Sequence, residues 1–104
     1  GITLSGGEPL CPENIPEVLD FVKDLKKERP ELNVWCYSGY TMEELVSRND
    51  NITDEMLKNI DVLVDGEFMI EKKNPTLKFR GSENQRIVDV KQSINEHKVI
   101  SLAV

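Results

Sequence analysis

The residues best suited to chemistry stand at the ends of three apolar runs. They are Gly6, Gly7 and Glu8 in "SGGE", Ser38 and Gly39 in "YSGY", and Asp65 and Gly66 in "VDGE". Adjacent glycines admit two explanations. They serve a tight turn, because glycine reaches positive φ at no steric cost, or they let the backbone lie close to a ligand. A phosphate is a poor match, because the Walker arch with its Lys-Ser/Thr pair and the dinucleotide pattern G-x-G-x-x-G are both missing. Glu8 would also repel it. A cationic amine fits better, since it takes carbonyl and carboxylate acceptors, and each charge-assisted hydrogen bond contributes about 1.5–3 kcal/mol. Glu8 and Asp65 could form a carboxylate pair, but acidic residues at strand ends are common and the signal is weak.

No conventional catalytic set is visible, and no residue is assigned a catalytic role. His97, the single histidine, lies outside the strand-edge group in a polar stretch and reads as a solvated surface residue. Cys11 and Cys36 stand 25 positions apart in different predicted elements, which matches no zinc or iron–sulfur spacing. They read as free thiols of a cytoplasmic protein, and no residue is assigned as a metal ligand.

These groups need elements to position them. Residues 1–5 read as a strand ending at Gly6-Gly7. A helix is predicted from Asn14, with Glu17 completing a capping-box-like pair and Val18, Phe21, Val22 and Leu25 as its apolar face. Lys23, Lys26, Lys27 and Arg29 suit its C-terminal end and Pro30 stops it. Residues 33–38 form a continuous apolar run, as expected of a strand covered on both faces. Thr41 and Glu44 form a capping box for a short helix through Val46, and Thr53 and Asp54 open another that buries Met56, Leu57 and Ile60. "DVLVDG" (61–66) repeats the pattern of a strand ending in glycine.

Helical crossovers between apolar strands imply parallel neighbours. The fold class is therefore α/β, a mostly parallel sheet with helical crossovers in a single domain over 1–104. Its three strand ends should share one edge of the sheet, where ligands bind in such folds. Residues 67–104 form a less regular tail. Its basic residues Lys72, Lys73, Lys78, Arg80 and Arg86 read as a solvated loop, "IVDV" (87–90) as another strand, and 91–98 as a short polar helix. The closing "VISLAV" needs a partner, in the same sheet or in another chain.

The bulk composition is that of a globular protein, with 38% hydrophobic and 31% charged residues, no repeat and no low-complexity tract. A net charge of −6 argues against general nucleic-acid binding, which needs clustered Lys and Arg. No run is long enough to span a bilayer as a helix, so neither nucleic acid nor membrane is expected as a partner. No export signal is present in this sequence.

"GITLSGGEPL", "VWCYSGYTMEEL", "DVLVDGEF" and "LKFRGSENQRIVDV", in that order, resemble the activating components of anaerobic ribonucleoside-triphosphate reductases, members of the radical S-adenosylmethionine enzymes. The resemblance runs to about residue 95. It implies part of a radical-SAM partial (β/α) barrel and, in the parent protein, a 4Fe-4S cluster whose unique iron binds S-adenosylmethionine. It further implies reductive cleavage of that cofactor and hydrogen abstraction from a glycine of the reductase large subunit, the implied partner. By the same resemblance Gly6, Gly7 and Glu8 lie at the methionine amine, and Ser38 and Asp65 toward the sugar. Arg80, Gly81, Asn84 and Gln85 match a characteristic family segment of unassigned role.

The family holds its cluster with C-x3-C-x2-C upstream of the Gly-Gly-Glu strand, and Cys11 and Cys36 do not replace it. The expectation is a C-terminal portion of an activase, inactive by itself and prone to self-association through an uncovered sheet edge or the apolar tail. The alternative is a non-catalytic α/β module that binds a ligand or a protein partner. Activases of other glycyl-radical enzymes share the strand-edge glycines, but "FRGSENQR" favours the reductase.

Overall fold

Strands β1 (Ile2–Leu4), β2 (Val34–Tyr37), β3 (Val62–Asp65) and β4 (Arg86–Asp89) lie side by side in that order in the computed structural model, which describes residues 2–77 and 79–102. Gly1 of the expected first strand, Lys78 of the basic stretch, and Ala103 and Val104 of the tail lie outside the described residues. The β1–β2 and β2–β3 pairs are parallel and β3–β4 is antiparallel, with Cys36 opposite Leu63 and Leu63 opposite Val88. Helices α1 (Ile15–Glu28), α2 (Met42–Ser47), α3 (Asn51–Lys58) and α4 (Val90–Glu96) accompany the sheet, with a 3-10 turn at Ile70–Lys72. This is the α/β, mostly parallel sheet that the order of elements implies.

The core forms where the helices meet one face of the sheet. Val34, Cys36, Leu63 and Val88 from the strands pack with Ile15, Leu19, Val22, Leu45, Met56 and Leu57 from the helices, all buried. The expectation that β2 is covered on both faces fails. Side chains alternate across a strand, and Trp35 and Tyr37 point to the other face. There Val62, Val64, Ile87 and Leu102 join them, and both aromatics stay partly exposed. Phe79 covers part of Trp35, ring centroids 5.1 Å apart.

Two helix starts also differ from expectation. The Asn14–Glu17 box does not form. The Asn14 side chain makes no cap bond, and its amide instead donates to the Glu8 carbonyl at 3.0 Å. The start of α3 is capped by Asp50, whose carboxylate accepts from the Thr53 N–H at 2.7 Å, while Thr53 itself is buried. By contrast the Thr41–Glu44 box is present in both directions. The buried side of α1 is Ile15, Leu19 and Val22, leaving Phe21 51% exposed. Phe21 follows Leu19 by two residues, a rotation of about 200° around the helix, so both cannot face the core.

The tail resolves in favour of the same sheet. Asp89 N–H donates to the Ile100 carbonyl at 2.8 Å and Leu102 N–H to the Ile87 carbonyl at 2.7 Å. At the other side of the sheet β1 pairs with β2 alone among the described residues.

Candidate functional site

The three glycine-terminated strands do end on one edge of the sheet, and side chains from their ends tie the loops together. Both Glu8 oxygens are engaged. Oε1 accepts from the Gly39 N–H at 2.6 Å, and Oε2 accepts from the Ser38 hydroxyl at 2.8 Å and the Leu10 N–H at 3.0 Å. Ser38 Oγ in turn accepts from the Tyr40 N–H at 3.1 Å, and the Gly66 N–H donates to the Tyr40 carbonyl at 3.3 Å. Glu8 thus clamps the first loop to the second, and the second is bonded to the third. No cation pairs with Glu8 among the described residues. Its negative charge is met by neutral N–H and O–H donors, which leaves the corner electrostatically suited to a cation.

A hollow of about 230 Å³ opens over this edge, lined among others by Gly6, Glu8, Ser38, Gly39, Gly66 and Phe68. That is below the roughly 300–1,000 Å³ of ordinary ligand pockets, the size of a place for part of a ligand. A second hollow of about 280 Å³ runs along β1 past Gly7, Pro9 and Asn14.

The two adjacent glycines turn out to differ. Gly6 sits at φ +81°, where a side chain is strained, so the turn itself asks for glycine. Gly7 has no such φ, and a Cβ placed on it would meet nothing within 4 Å. Neither local conformation nor packing requires Gly7 to lack a side chain.

Asp65, proposed from resemblance to face a sugar, is turned inward. It is buried, its Oδ1 accepts from Arg86 Nε at 3.0 Å, and its Oδ2 accepts from the Met42 N–H at 2.8 Å and from Arg86 Nη2. Arg86 continues to Glu43 on α2, and this guanidinium holds the Glu43 carboxyl below its usual range. Asp65 therefore anchors the N-terminal end of α2 and does not line the strand-edge hollow. Arg86, expected in a solvated loop, is the residue that local reasoning missed. Only the antiparallel register that sets it opposite Asp65 exposes its role.

The segment Arg80–Gln85 forms a wall of the same edge. Gln85 is nine-tenths buried; its Oε1 accepts from the Gly81 and Ser82 N–H groups at 2.8 and 3.1 Å, and its Nε2 donates to the Gly66 carbonyl at 3.0 Å. Arg80 donates to the Gln85 carbonyl and Asn84 to the Glu67 carbonyl. These contacts fold the segment against the third strand end.

The two thiols stand apart from this edge chemistry. Cys36 is fully buried in the core, and desolvation, with a contribution from the Glu8 charge, pushes its thiol up to about 12 from an ordinary 9.0. Cys11 is half-buried, in the loop after β1. The folded chain keeps the Cys36 proton where the unfolded chain releases it. Stability from this group is therefore full below about pH 9 and falls as pH rises toward 12, by at most about 1.4 kcal/mol per pH unit. Urea unfolding between pH 8 and 11 should show that decline, and Cys36→Ala should flatten it. Equal slopes in the two proteins would refute the assignment.

A cubane cluster with one open iron needs three converging thiolates. This chain offers two cysteines, one sealed and protonated, and no group of three or more potential metal ligands exists among the described residues. The residues present do not fit such a cluster. No helix among the described residues is long and apolar enough to cross a membrane.

Comparison with known proteins converges on one group. The chain is 46% identical over 87 residues to the anaerobic ribonucleoside-triphosphate reductase-activating protein of Pasteurella multocida, covering 84% of this chain and 54% of that one. It is 42% identical over 85 residues to the protein of the same name from Escherichia coli K12, covering 82% and 53%. A third, from Enterobacteria phage T4, is 42% identical over 88 residues, covering 84% and 51%. The chain spans about half the length of the curated relatives it matches. No solved structure matches it. The model of the 4Fe-4S single cluster domain matches residues 1–88, a stretch that contains the three glycine-ended strand ends and the Gly-Gly-Glu corner, and the chain belongs to that family.

Proposed function

We propose that this chain is the cofactor-holding part of an activase that uses S-adenosylmethionine to place a glycyl radical on anaerobic ribonucleoside-triphosphate reductase, a cytoplasmic oxidoreductase in its intact form. The observation that carries the reading is Gly7, a position left without a side chain though the fold does not demand it, next to a carboxylate with no cationic partner among the described residues. The amino group of the cofactor would dock against Glu8 and nearby backbone carbonyls. Gly6 and Gly7 would admit it by removing Cβ atoms from its path, and Ser38 would hold Glu8 in place. When bound, the cofactor supplies hydrogen-abstraction chemistry directed at the reductase glycine. The names of the relatives support this choice of partner.

Because Cys11 and Cys36 do not fit a cluster, the cluster ligands are assigned to a part of the parent protein outside this sequence. The same misfit favours a second reading, in which the chain binds its ligand and does no chemistry. A C-x3-C-x2-C motif encoded immediately upstream decides for the activase, and its absence beside a nearby start codon decides for the binding module.

The corner is tested by Gly7→Val. Its urea midpoint should match that of the parent chain, because the added atoms enter open space. Binding of S-adenosylmethionine, followed by calorimetry, should be lost. Unchanged binding would remove the corner from the cofactor site. A large loss of stability would mean that Gly7 serves the turn.

A further inference from the structure

We propose that Phe68 is the stacking platform for the base of a phosphate-free nucleoside bound in the strand-edge hollow; this rests on the reading above and names the part of the ligand the hollow takes. Phe68 is 49% exposed, three residues beyond the buried end of β3 at Asp65. A scattered surface phenylalanine would need no explanation, but this ring is seated. A Cβ on Gly81 would lie 3.0 Å from both Cδ1 and Cε1, so the ring rests against backbone that only glycine leaves bare. That backbone is itself fastened, since the Gly81 and Ser82 N–H groups bond to Gln85, whose amide holds the Gly66 carbonyl. One side of the ring is thus held by a braced loop, and the ring lines the hollow together with Gly6, Glu8, Gly39 and Gly66.

Stacking on an aromatic side chain contributes about 1–3 kcal/mol per base and tolerates different bases. The remaining lining narrows the class. Among the described residues no Lys or Arg lines the hollow, and Glu8 contributes a negative charge. A triphosphate or diphosphate would be repelled there, whereas an uncharged or cationic nucleoside would be accepted.

The test titrates the chain with three probes, observed by amide chemical shifts: 5′-methylthioadenosine, adenosine triphosphate and methionine. 5′-Methylthioadenosine should bind with shifts at Gly39, Gly66 and Phe68, and adenosine triphosphate should bind more weakly. Phe68→Leu should weaken 5′-methylthioadenosine at least about fivefold, and Phe68→Tyr should stay within about twofold, because the tyrosine keeps a stacking face. Methionine should bind the parent chain and both variants alike. Equal 5′-methylthioadenosine affinity in Phe68→Leu overturns the platform while the methionine arm leaves the cofactor reading standing. Adenosine triphosphate binding as tightly overturns the phosphate-free class. Binding of neither 5′-methylthioadenosine nor methionine overturns the platform and the cofactor reading together.

Discussion

Replacing Arg86 with alanine is expected to destabilise the fold by about 3–5 kcal/mol, the cost of leaving one partner of a buried ion pair uncompensated. The Asp65 side chain is 1% exposed, and Arg86 supplies two of the three bonds to its oxygens. The reverse change should be milder. Asp65→Ala leaves Arg86 one-third exposed and still paired with Glu43, so the guanidinium keeps water and a carboxylate. The cost then comes from the lost pair and the unbonded Met42 N–H, about 1–3 kcal/mol. The contrast shows in urea unfolding of the two variants, and a loss below about 1 kcal/mol for Arg86→Ala would refute the account.

The acid limb supplies a second readout. Arg86 depresses the Glu43 carboxyl from its ordinary 4.5, so the unfolded chain takes up that proton first as pH falls. The associated stability is present above about pH 4.5 and is lost as pH drops through the lower folded value. Arg86→Ala should lose that component of the acid dependence.

Glu8→Ala should lower stability by about 2–3 kcal/mol, because three donors lose a charged acceptor at once. The clamp joins residues 8, 10, 38 and 39 across two loops, so its removal should also loosen the strand edge. Glu8→Gln separates support from recognition. Its one carbonyl oxygen can serve part of the clamp, but its amide turns a donor toward N–H and O–H groups. About half the stability loss is expected by this count of donors. Where Glu8→Gln remains folded, binding of methionine should still weaken, since the negative charge facing the amine is gone. Binding equal to that of the parent chain would make Glu8 a support for the loops and nothing more.

The roles of Gly6, Gly7 and Glu8 show how far local reasoning reaches. Their position after an apolar run was enough to place them on a strand edge, and an acceptor-rich corner follows from residue types. Their division of labour was not legible. Only the backbone angle makes Gly6 a turn residue, and only empty space around Gly7 frees it from structural duty. Glu8 reads as an acceptor for a ligand, yet its bonds to Ser38, Gly39 and Leu10 come from a neighbouring strand end and its own loop. Phe21 and Asp50 mark the same limit for helices. A periodic pattern admits more than one face, and several polar residues compete for one cap, until packing selects among them.

What the sequence determined alone was the order of elements and the shared glycine-ended edge. Those depend on hydrophobic run length and on glycine, both properties of neighbours along the chain. Tertiary structure decided the one-sided cover of β2, the inward turn of Asp65 and the pairing of Arg86 with it. These depend on which strands lie side by side and in what direction, and antiparallel β4 brings together residues 21 positions apart. A charge is assigned to solvent or to a buried partner only by that juxtaposition, because the cost of desolvation is set by the surroundings in space.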